Sequence, residues 1–313
     1  MSNSNDSFKT DTSRGHIPVL LNETVELLSP VDGGIYLDCT FGGGGHTEAI
    51  LRRANCRVVA IDRDPEARPR AAETSKKFGG RFAFKSLNFS RLDELEESEF
   101  DGVLFDFGVS SFQLDDAQRG FSISKPAPLD MRMDNGGGET ALDFLARTDE
   151  RELAEVLRDY GEEAHSKKIS RAIIAARGAG MLETTADLAR AAESAYPKAR
   201  GRIHPATKTF QAIRIKVNDE LGEIERALPK AFGRLKKGGV LAAISFHSLE
   251  DRIVKKFFKK MAGRPESRSD TSFLQDRVKL ATMLTHKPIA ASESETRLNP
   301  RSRSAKLRAI KKD

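Results

Sequence analysis

The sequence has no long apolar run and very little cysteine. None of its 313 residues lies in an apolar stretch of the roughly 18 residues that a membrane-spanning helix needs. Residues 1–14 are polar and lack the apolar centre of a signal peptide, so they are predicted to form a disordered tail. The two cysteines, Cys39 and Cys56, lie in or beside apolar segments and are expected to be buried reduced thiols. These absences argue against membrane-spanning and disulfide-rich secreted proteins, and they favour a cytoplasmic protein without a membrane partner.

Positive charge is concentrated near the C-terminal end. The chain has a net charge of +6, whereas residues 255–313 alone contain 16 Lys and Arg against 6 Asp and Glu. A basic segment of this kind favours a polyanionic partner such as nucleic acid, and it is equally typical of a solvated surface. Residues 262–303 are rich in Arg, Ser, Glu and Pro, which predicts partial disorder there.

The first third of the chain alternates strand-like with helix-like segments. Helices are predicted near residues 47–54 and 65–77, and apolar or alternating runs predict strands at residues 35–41, 57–61, 81–87 and 101–107. Strands that alternate with helices are typical of a parallel sheet with helical crossovers. The fold class is therefore predicted to be α/β.

A helical segment interrupts this pattern. Helices are predicted at residues 149–159, 163–177 and 184–195. One long helix is predicted from about residue 204, with an apolar face formed by Phe210, Ile213, Val217, Leu221, Ile224 and Leu228. Strands are predicted again at residues 240–246 and 305–310, and Ser248 with Asp251 resembles a capping box. The sequence thus predicts an α/β domain at residues 15–115 and 215–313, with a helical insertion at residues 116–214.

A glycine-rich loop follows the first predicted strand. Its four glycines, residues 42–45, allow a tight turn and close approach of a ligand to the backbone where a helix begins. Asp62 ends the second strand, 20 residues after Gly42, and a carboxylate there suits the two hydroxyl groups of a ribose. Together they predict a nucleoside cofactor at the carboxyl edge of the sheet, although each feature also occurs without a ligand.

The loop by itself does not identify the cofactor. The dinucleotide pattern G-x-G-x-x-G needs a third glycine where this chain has Thr47. A methionine-derived cofactor carries no pyrophosphate and therefore tolerates a different loop. The local pattern favours a methyltransferase and leaves a dehydrogenase open.

The end of the fourth predicted strand carries an acid, a glycine and two hydroxyl groups. These belong to Asp106, Gly108, Ser110 and Ser111. A methyl donor and an amine acceptor can meet at such a strand end. An ordinary turn that Asp106 caps is the alternative.

Several stretches in a fixed order carry a stronger signal: residues 16–21, 40–47, 60–65, 106–115, 119–122, 128–134, 204–220, 244–255 and 299–304. They resemble the MraW-type family of bacterial methyltransferases, which modify the N4 amine of a cytidine in 16S ribosomal RNA. The resemblance covers nearly all of residues 16–310, and ordered matches of this extent are highly specific.

The resemblance implies a Rossmann-like sheet that binds S-adenosylmethionine, with an inserted helical domain for substrate recognition. It implies cofactor contacts at Gly44, Gly45, His46, Asp62, Phe89, Asp106 and Gln113. Residue patterns alone do not indicate Phe89 or Gln113. The family usually has a proline just before the glutamine, where this chain has Phe112, and we expect this change to loosen the loop.

The resemblance also implies a substrate, 16S ribosomal RNA, either naked or within the small ribosomal subunit. Asp106 and Ser110 are the candidate catalytic residues, His247 is a weaker one, and no metal site is expected. Basic residues of the insertion are predicted to contact RNA phosphates, namely Lys167, Lys168, Arg200, Arg202 and Lys208. A solvated helix face is the alternative for these side chains.

Three other functions stay open on the residues alone. They are methylation of DNA or a small amine, a dehydrogenase activity, and a non-catalytic RNA-binding module. The insertion and the basic tail disfavour a small substrate. Binding of labelled S-adenosylmethionine or of NAD to the purified protein separates a methyltransferase from a dehydrogenase. Only the family resemblance separates an enzyme from a binding module.

Overall fold

The computed structural model describes residues 17–123, 125–196, 204–266 and 277–313. The chain divides into two compact units, which we call the sheet unit (Met1–Gly108 and Leu221–Asp313) and the helical unit (Val109–Glu220). The insertion predicted at residues 116–214 lies inside the helical unit, which begins earlier, at Val109, and ends later, at Glu220. The tail predicted at residues 1–14 lies outside the described residues.

Within the described residues, the sheet unit contains one eight-stranded sheet. Its strands are β1 (Ile35–Asp38), β2 (Arg57–Asp62), β3 (Phe82–Ser86), β4 (Phe100–Asp106), β5 (Leu235–Ser245), β6 (Ala281–Met283), β7 (Ile289–Ala290) and β8 (Lys306–Lys312). The order is β3-β2-β1-β4-β5-β8-β6, and β7 pairs with β8. Strands β1 to β5 are parallel, whereas β8 is antiparallel to β5. The predicted α/β class is confirmed.

The helices of the described residues are, in chain order, α1 (Leu21–Leu28), α2 (Gly45–Arg53), α3 (Ala67–Phe78), α4 (Ser111–Asp115), α5 (Ala141–Arg147), α6 (Glu150–Gly161), α7 (Ser166–Gly178), α8 (Thr185–Ser194), α9 (Thr207–Asn218), α10 (Glu220–Gly233), α11 (Ser248–Met261) and α12 (Glu293–Leu298). Short 3-10 helices connect several of them.

Alternate residues of the central strands enter two separate cores of the sheet unit. Val58 and Ala60 of β2 pack in one core with Ile50 of α2, whereas Val59 and Ile61 pack in the other with residues of α10 and α11. Successive side chains of a strand point to opposite faces, so helices cover both faces of the sheet. This explains why the parallel strands are almost continuously apolar.

The long helix predicted from residue 204 is in fact two helices. α9 ends at Asn218, Asp219 adopts a left-handed conformation with φ of 47°, and α10 begins at Glu220. The apolar stripe is divided accordingly: Phe210 and Ile213 pack in the core of the helical unit, whereas Ile224 packs in the sheet unit. Aspartate tolerates the left-handed conformation better than most residues, which is why the break needs no glycine.

The capping box predicted at Ser248 and Asp251 is shifted by one residue. The N-cap of α11 is His247, and its partner is Glu250. Asp251 instead accepts hydrogen bonds of 2.7 and 3.2 Å from the guanidinium of Arg308 on β8. A charged partner from a distant strand therefore outweighs the local capping pattern.

Candidate active site

The glycine loop lies between the end of β1 and the start of α2, as the sequence predicts. Gly42 and Gly44 have positive φ values of 51° and 78°, and Gly44 is the N-cap of α2. A Cβ atom on Gly44 would lie 2.7 Å from the ring of Phe41, and one on Gly45 would overlap the ring of Pro18. Both glycines are therefore required for the loop to keep this path.

Asp62 ends β2 and holds the glycine loop in place. Its Oδ2 accepts a hydrogen bond of 2.8 Å from the Gly42 N–H, and its Oδ1 accepts one of 2.9 Å from the Asp64 N–H. Burial raises the pKa of Asp62, and these two backbone donors partly oppose the rise. Each carboxylate oxygen keeps a second lone pair, so the group can also accept from hydroxyl groups of a ligand.

Asp38 ends β1 and was not among the predicted site residues. Its carboxylate accepts hydrogen bonds from the Thr47 hydroxyl at 2.7 Å and from the Thr40 N–H at 3.1 Å. The residue is almost completely buried, and burial raises its pKa to about 6. The signal was present in the sequence, because Asp38 ends a strand in the same way as Asp62 and Asp106.

Asp106 ends β4 and has the most perturbed carboxyl group of this edge. Burial raises its pKa well above the usual range, and the nearby carboxylates of Asp38 and Glu250 raise it further. Its side chain is 25% exposed, but Oδ1 is buried and has no hydrogen-bond partner within the described residues. A ligand that donates a hydrogen bond would satisfy this oxygen.

His46, a predicted cofactor contact, lies in the first turn of α2 and is buried. Its Nε2 lies 3.1 Å from the carbonyl oxygen of Val19, so Nε2 carries the proton and donates it. The other nitrogen, Nδ1, lies 3.8 Å from Oδ2 of Asp106, which is too long for a hydrogen bond. The Nδ1 edge of His46 therefore faces the Asp106 carboxylate.

Phe89 follows β3 at the start of a 3-10 helix. Its ring meets Phe105 and Phe107 edge to face, with centroid distances of 5.6 and 5.9 Å. Phe105 and Phe107 are buried, whereas Phe89 is only partly buried. An aromatic ring that is fixed from behind and open in front can pack against a flat ligand ring.

Two further ionisable residues follow β5. Glu250 is fully buried, and its Oε2 accepts hydrogen bonds from the N–H groups of Phe246 at 2.7 Å and His247 at 3.3 Å. The His247 Nε2 lies 3.2 Å from Oε1 of Glu250. His247 is among the residues predicted from the sequence, whereas Glu250 is not, because a glutamate in the first turn of a helix is an ordinary capping residue.

Ser110 and Gln113 belong to the helical unit, where they cap α4. The Ser110 hydroxyl accepts from the Gln113 N–H at 3.2 Å, and the Gln113 side chain accepts from the Ser110 N–H at 2.9 Å. Phe112 is the second residue of α4. Because a backbone N–H in the first helical turn has no partner within the helix, phenylalanine and proline are both compatible with this position.

The structure describes three of the five predicted RNA contacts. Lys167 and Lys168 are exposed in the first turn of α7. Lys208 is exposed in α9, where its Nζ donates to the carbonyl oxygen of Glu162 at 2.8 Å. Arg200 and Arg202 lie outside the described residues.

The carboxyl edge of the sheet fits a cationic ligand that also carries hydroxyl groups. Asp62, Asp38 and Asp106 end the neighbouring strands β2, β1 and β4, and burial raises the pKa of all three. A positive charge among them would stabilise their ionised forms. S-adenosylmethionine carries a sulfonium, an ammonium group and a ribose diol, so these residues fit the cofactor that the resemblance implies.

Comparison with known proteins gives a family match over most of the chain. The sequence profile of the MraW methylase family matches residues 13–313. A ribosomal RNA small subunit methyltransferase H of Rickettsia massiliae is 49% identical over 302 residues, which are 95% of this chain and 98% of the relative. The protein of the same name from Rickettsia felis is 47% identical over 305 residues, or 96% and 99% of the two chains.

The similarity to a solved structure is more distant. An rRNA methylase from Streptococcus thermophilus superimposes with a TM-score of 0.44 and 10% identity, covering 95% of this chain and 98% of that one, which is too distant to carry an argument. Among the described residues, no helix combines the length and the apolar character that crossing a membrane requires.

Proposed function

The chain belongs to the MraW methylase family, and from this premise we propose that it transfers a methyl group from S-adenosylmethionine to the N4 amine of a cytidine in 16S ribosomal RNA. The observation that carries the proposal is the extent of the match, since residues 13–313 include both the carboxylate-lined edge of the sheet unit and the whole helical unit. The protein is thus an enzyme, a methyltransferase.

Residues of the sheet unit would hold the cofactor. Asp62 would accept hydrogen bonds from the ribose hydroxyls, and the loop that ends in Gly44 and Gly45 would let the cofactor approach the backbone closely. The Phe89 ring would pack against the adenine. When bound, S-adenosylmethionine supplies a methyl group that its sulfonium makes electrophilic.

Asp106 is assigned to the acceptor amine. The N4 amine of cytosine is a weak nucleophile because its lone pair is delocalised into the ring. A carboxylate that accepts an N–H hydrogen bond makes this lone pair more available and takes up the proton that the methylated amine loses. The raised pKa of Asp106 makes it a stronger base than an ordinary aspartate, which suits the acceptance of a proton. Ser110 is the second candidate for this hydrogen bond.

The helical unit would bind the RNA. Lys167, Lys168, Arg200, Arg202 and Lys208 are proposed to contact phosphates around the target. The cytidine must leave its stack to reach the carboxyl edge of the sheet, as bases do in other enzymes that modify them. We place the reaction on the small ribosomal subunit in the cytoplasm, where the buried free thiols of Cys39 and Cys56 stay reduced.

The test uses purified protein, methyl-labelled S-adenosylmethionine and small subunits whose 16S RNA lacks the modification. The RNA is digested to nucleosides, which are separated and identified by mass spectrometry. We expect the label in N4-methylcytidine. Label in another nucleoside overturns the choice of acceptor, and cofactor binding without any transfer identifies a non-catalytic module. Reduction of NAD in a parallel reaction indicates a dehydrogenase.

A further inference from the structure

The helical unit holds two partly exposed rings side by side. His165 precedes α7 and Tyr196 follows α8, and their ring centroids lie 5.0 Å apart at an interplanar angle of 79°. We call these residues the ring pair. In this edge-to-face arrangement one ring covers at most one face of the other, and Tyr196 also packs against the core of the helical unit. Both residues are partly exposed, and this exposed part of the rings is what a ligand can reach.

A buried acid fixes both members of the ring pair. Glu163 is only 4% exposed, and its Oε2 accepts a hydrogen bond of 2.6 Å from the Tyr196 hydroxyl. Its Oε1 accepts one of 2.9 Å from the backbone N–H of His165. Burial and the Glu163 carboxylate raise the pKa of Tyr196, so its hydroxyl stays protonated and continues to donate. The tyrosine ring is therefore preorganised by a contact at its far end.

Two lysines flank the ring pair on the same helix. Lys167 and Lys168 follow His165 by two and three residues, and the Lys168 N–H donates to the His165 carbonyl at 2.9 Å. Both side chains are exposed, and within the described part of the chain neither forms an ion pair. The first turn of α7 contains no acid, whereas the first turn of α6 contains Glu150 and Glu152.

These lysines do not stabilise the helix on which they lie. Cations are unfavourable near the positive end of a helix dipole, so their placement at the start of α7 is a cost to the helix. Elsewhere in the unit, exposed arginines have acidic partners, such as Arg151 with Glu155 and Arg190 with Asp187. Two exposed lysines without ion pairs of their own among the described residues therefore lie beside the ring pair, and they fit an anionic partner.

We propose that the ring pair is a stacking site for an unpaired base of the RNA substrate, with Lys167 and Lys168 contacting the phosphates on either side of that base. This inference rests on the proposed function, because it takes RNA as the substrate. Aromatic rings combined with cations are the usual means of holding single-stranded RNA, since every base has a flat face and every nucleotide a charge. The ring pair shares no residue with the catalytic candidates Asp106 and Ser110, and we assign it to a nucleotide other than the methylated one.

The sequence allows a direct test because it contains no tryptophan. In the Tyr196→Trp variant a single indole, at the proposed stacking site, emits all the tryptophan fluorescence. Adding a short single-stranded RNA is expected to quench this emission, because a stacked base quenches indole fluorescence. A duplex RNA of the same length should quench it much less, since its bases are already stacked.

The control variant is Phe78→Trp in the sheet unit. Phe78 is also partly buried, and two arginines, Arg52 and Arg81, lie over its ring at 5.7 and 5.5 Å. It therefore reports on RNA that is attracted to cations without stacking at the ring pair. Quenching of the Tyr196→Trp variant alone supports the proposal. No quenching, equal quenching by duplex, or equal quenching of both variants overturns it.

A second series separates stacking from the structural tie to Glu163. Tyr196→Phe keeps the ring and loses the hydroxyl, whereas Tyr196→Leu loses the ring as well. We expect single-stranded RNA affinity to fall several-fold in Tyr196→Leu and to change by less than two-fold in Tyr196→Phe. Equal losses of RNA affinity in the two variants would mean that the hydrogen bond from the Tyr196 hydroxyl to Glu163, and not the ring, supports RNA binding. That result would overturn the proposal.

The methyl-transfer assay keeps this inference separate from the proposed function. If the protein methylates small subunits but its Tyr196→Trp variant shows no quenching, the stacking site is rejected and the proposed function stands. Quenching by single-stranded RNA in a protein that methylates no RNA rejects the function, and the stacking site then stands as a property of an RNA-binding protein.

Discussion

At the residue scale, the strand-end aspartates have separable roles. Asp62 is bonded to the glycine loop, and its remaining lone pairs are available to a ribose. We expect Asp62→Ala to weaken S-adenosylmethionine binding by about 1–3 kcal/mol, the usual range for lost hydrogen bonds to a charged group. Calorimetric titration measures the change, and Asp64→Ala, which removes the neighbouring buried carboxylate, is the control. Unchanged affinity in a folded Asp62→Ala protein would remove Asp62 from the site.

Asp106 is expected to matter more for turnover than for folding. Asp106→Asn keeps the size of the side chain and removes its basicity, so single-turnover methyl transfer should slow by roughly 100-fold or more. Asp101, at the start of the same strand, is the matched position, and Asp101→Asn should leave the rate nearly unchanged. If Asp106→Asn transfers methyl groups at the normal rate, the proton acceptor is another group.

Asp38 predicts a pH dependence of stability. Burial raises its pKa from 3.8 to about 6, so the folded protein favours the protonated form. The stabilisation from this group is complete below the unfolded value and is lost as the pH rises through about 6. The free energy of unfolding of the wild type, relative to Asp38→Asn, should therefore fall by roughly 3 kcal/mol between about pH 3 and pH 8. Denaturant titrations that give the same difference at both pH values would contradict this.

The sequence identifies only part of the site at this scale. Gly44, Asp62 and Asp106 stand out because loop glycines and strand-end acids have recognisable positions. Glu250 does not, because its role depends on complete burial and on its closeness to Asp106, and both are set by the pairing of β4 with β5. Local patterns cannot report an electrostatic interaction between residues that are so far apart in the chain.

At the element scale, the attachment of α11 to β8 rests on a buried ion pair. Arg308 and Asp251 have side chains only 6% and 12% exposed. Arg308→Met should destabilise the protein by about 3–5 kcal/mol, because it leaves the buried Asp251 carboxylate without its two guanidinium hydrogen bonds and with the more distant ammonium of Lys306, at 3.7 Å. Thermal unfolding measures the loss. In the double variant with Asp251→Leu much of this stability should return, and a double variant as unstable as the single one would contradict the ion-pair explanation.

Elements with a long apolar pattern could be predicted, whereas short ones could not. Strands β1 to β5 and β8 lie where apolar runs place them, although β5 begins earlier than expected, at Leu235. Strands β6 and β7 contain three and two residues and lie in a stretch that was expected to be partly disordered. They form because β8 offers a free edge to pair with, and this tertiary condition is invisible in local sequence.

At the scale of the whole molecule, the chain leaves the sheet after β4 and returns to it with β5. This interruption could be predicted because the strand pattern stops and later resumes. Its borders could not, because Asp219 divides a continuous apolar stripe between the cores of two units. The predicted cofactor contact Gln113 also belongs to the helical unit. A strict division of cofactor and RNA between the units therefore stays a prediction.

The last prediction tests that division. Lys167→Ala/Lys168→Ala should lower the affinity for RNA and flatten its dependence on salt, because each lost phosphate contact removes roughly 0.7–0.9 from the slope of log affinity against log salt. Two lost contacts should thus reduce the slope by about 1.5. The affinity for S-adenosylmethionine should not change, since the glycine loop, Asp62 and Phe89 all lie in the sheet unit.

Lys76→Ala/Lys77→Ala is the matched control, because these are also two adjacent exposed lysines on one helix, but in the sheet unit. Both double variants lose the same charge, so a general effect of net charge on RNA binding would appear equally in each. A slope that flattens only for the variant in α7 indicates specific phosphate contacts. Equal slopes in the wild type and both double variants would mean that Lys167 and Lys168 form a solvated face. A loss of S-adenosylmethionine affinity in the variant in α7 would mean that the two units do not bind their ligands independently.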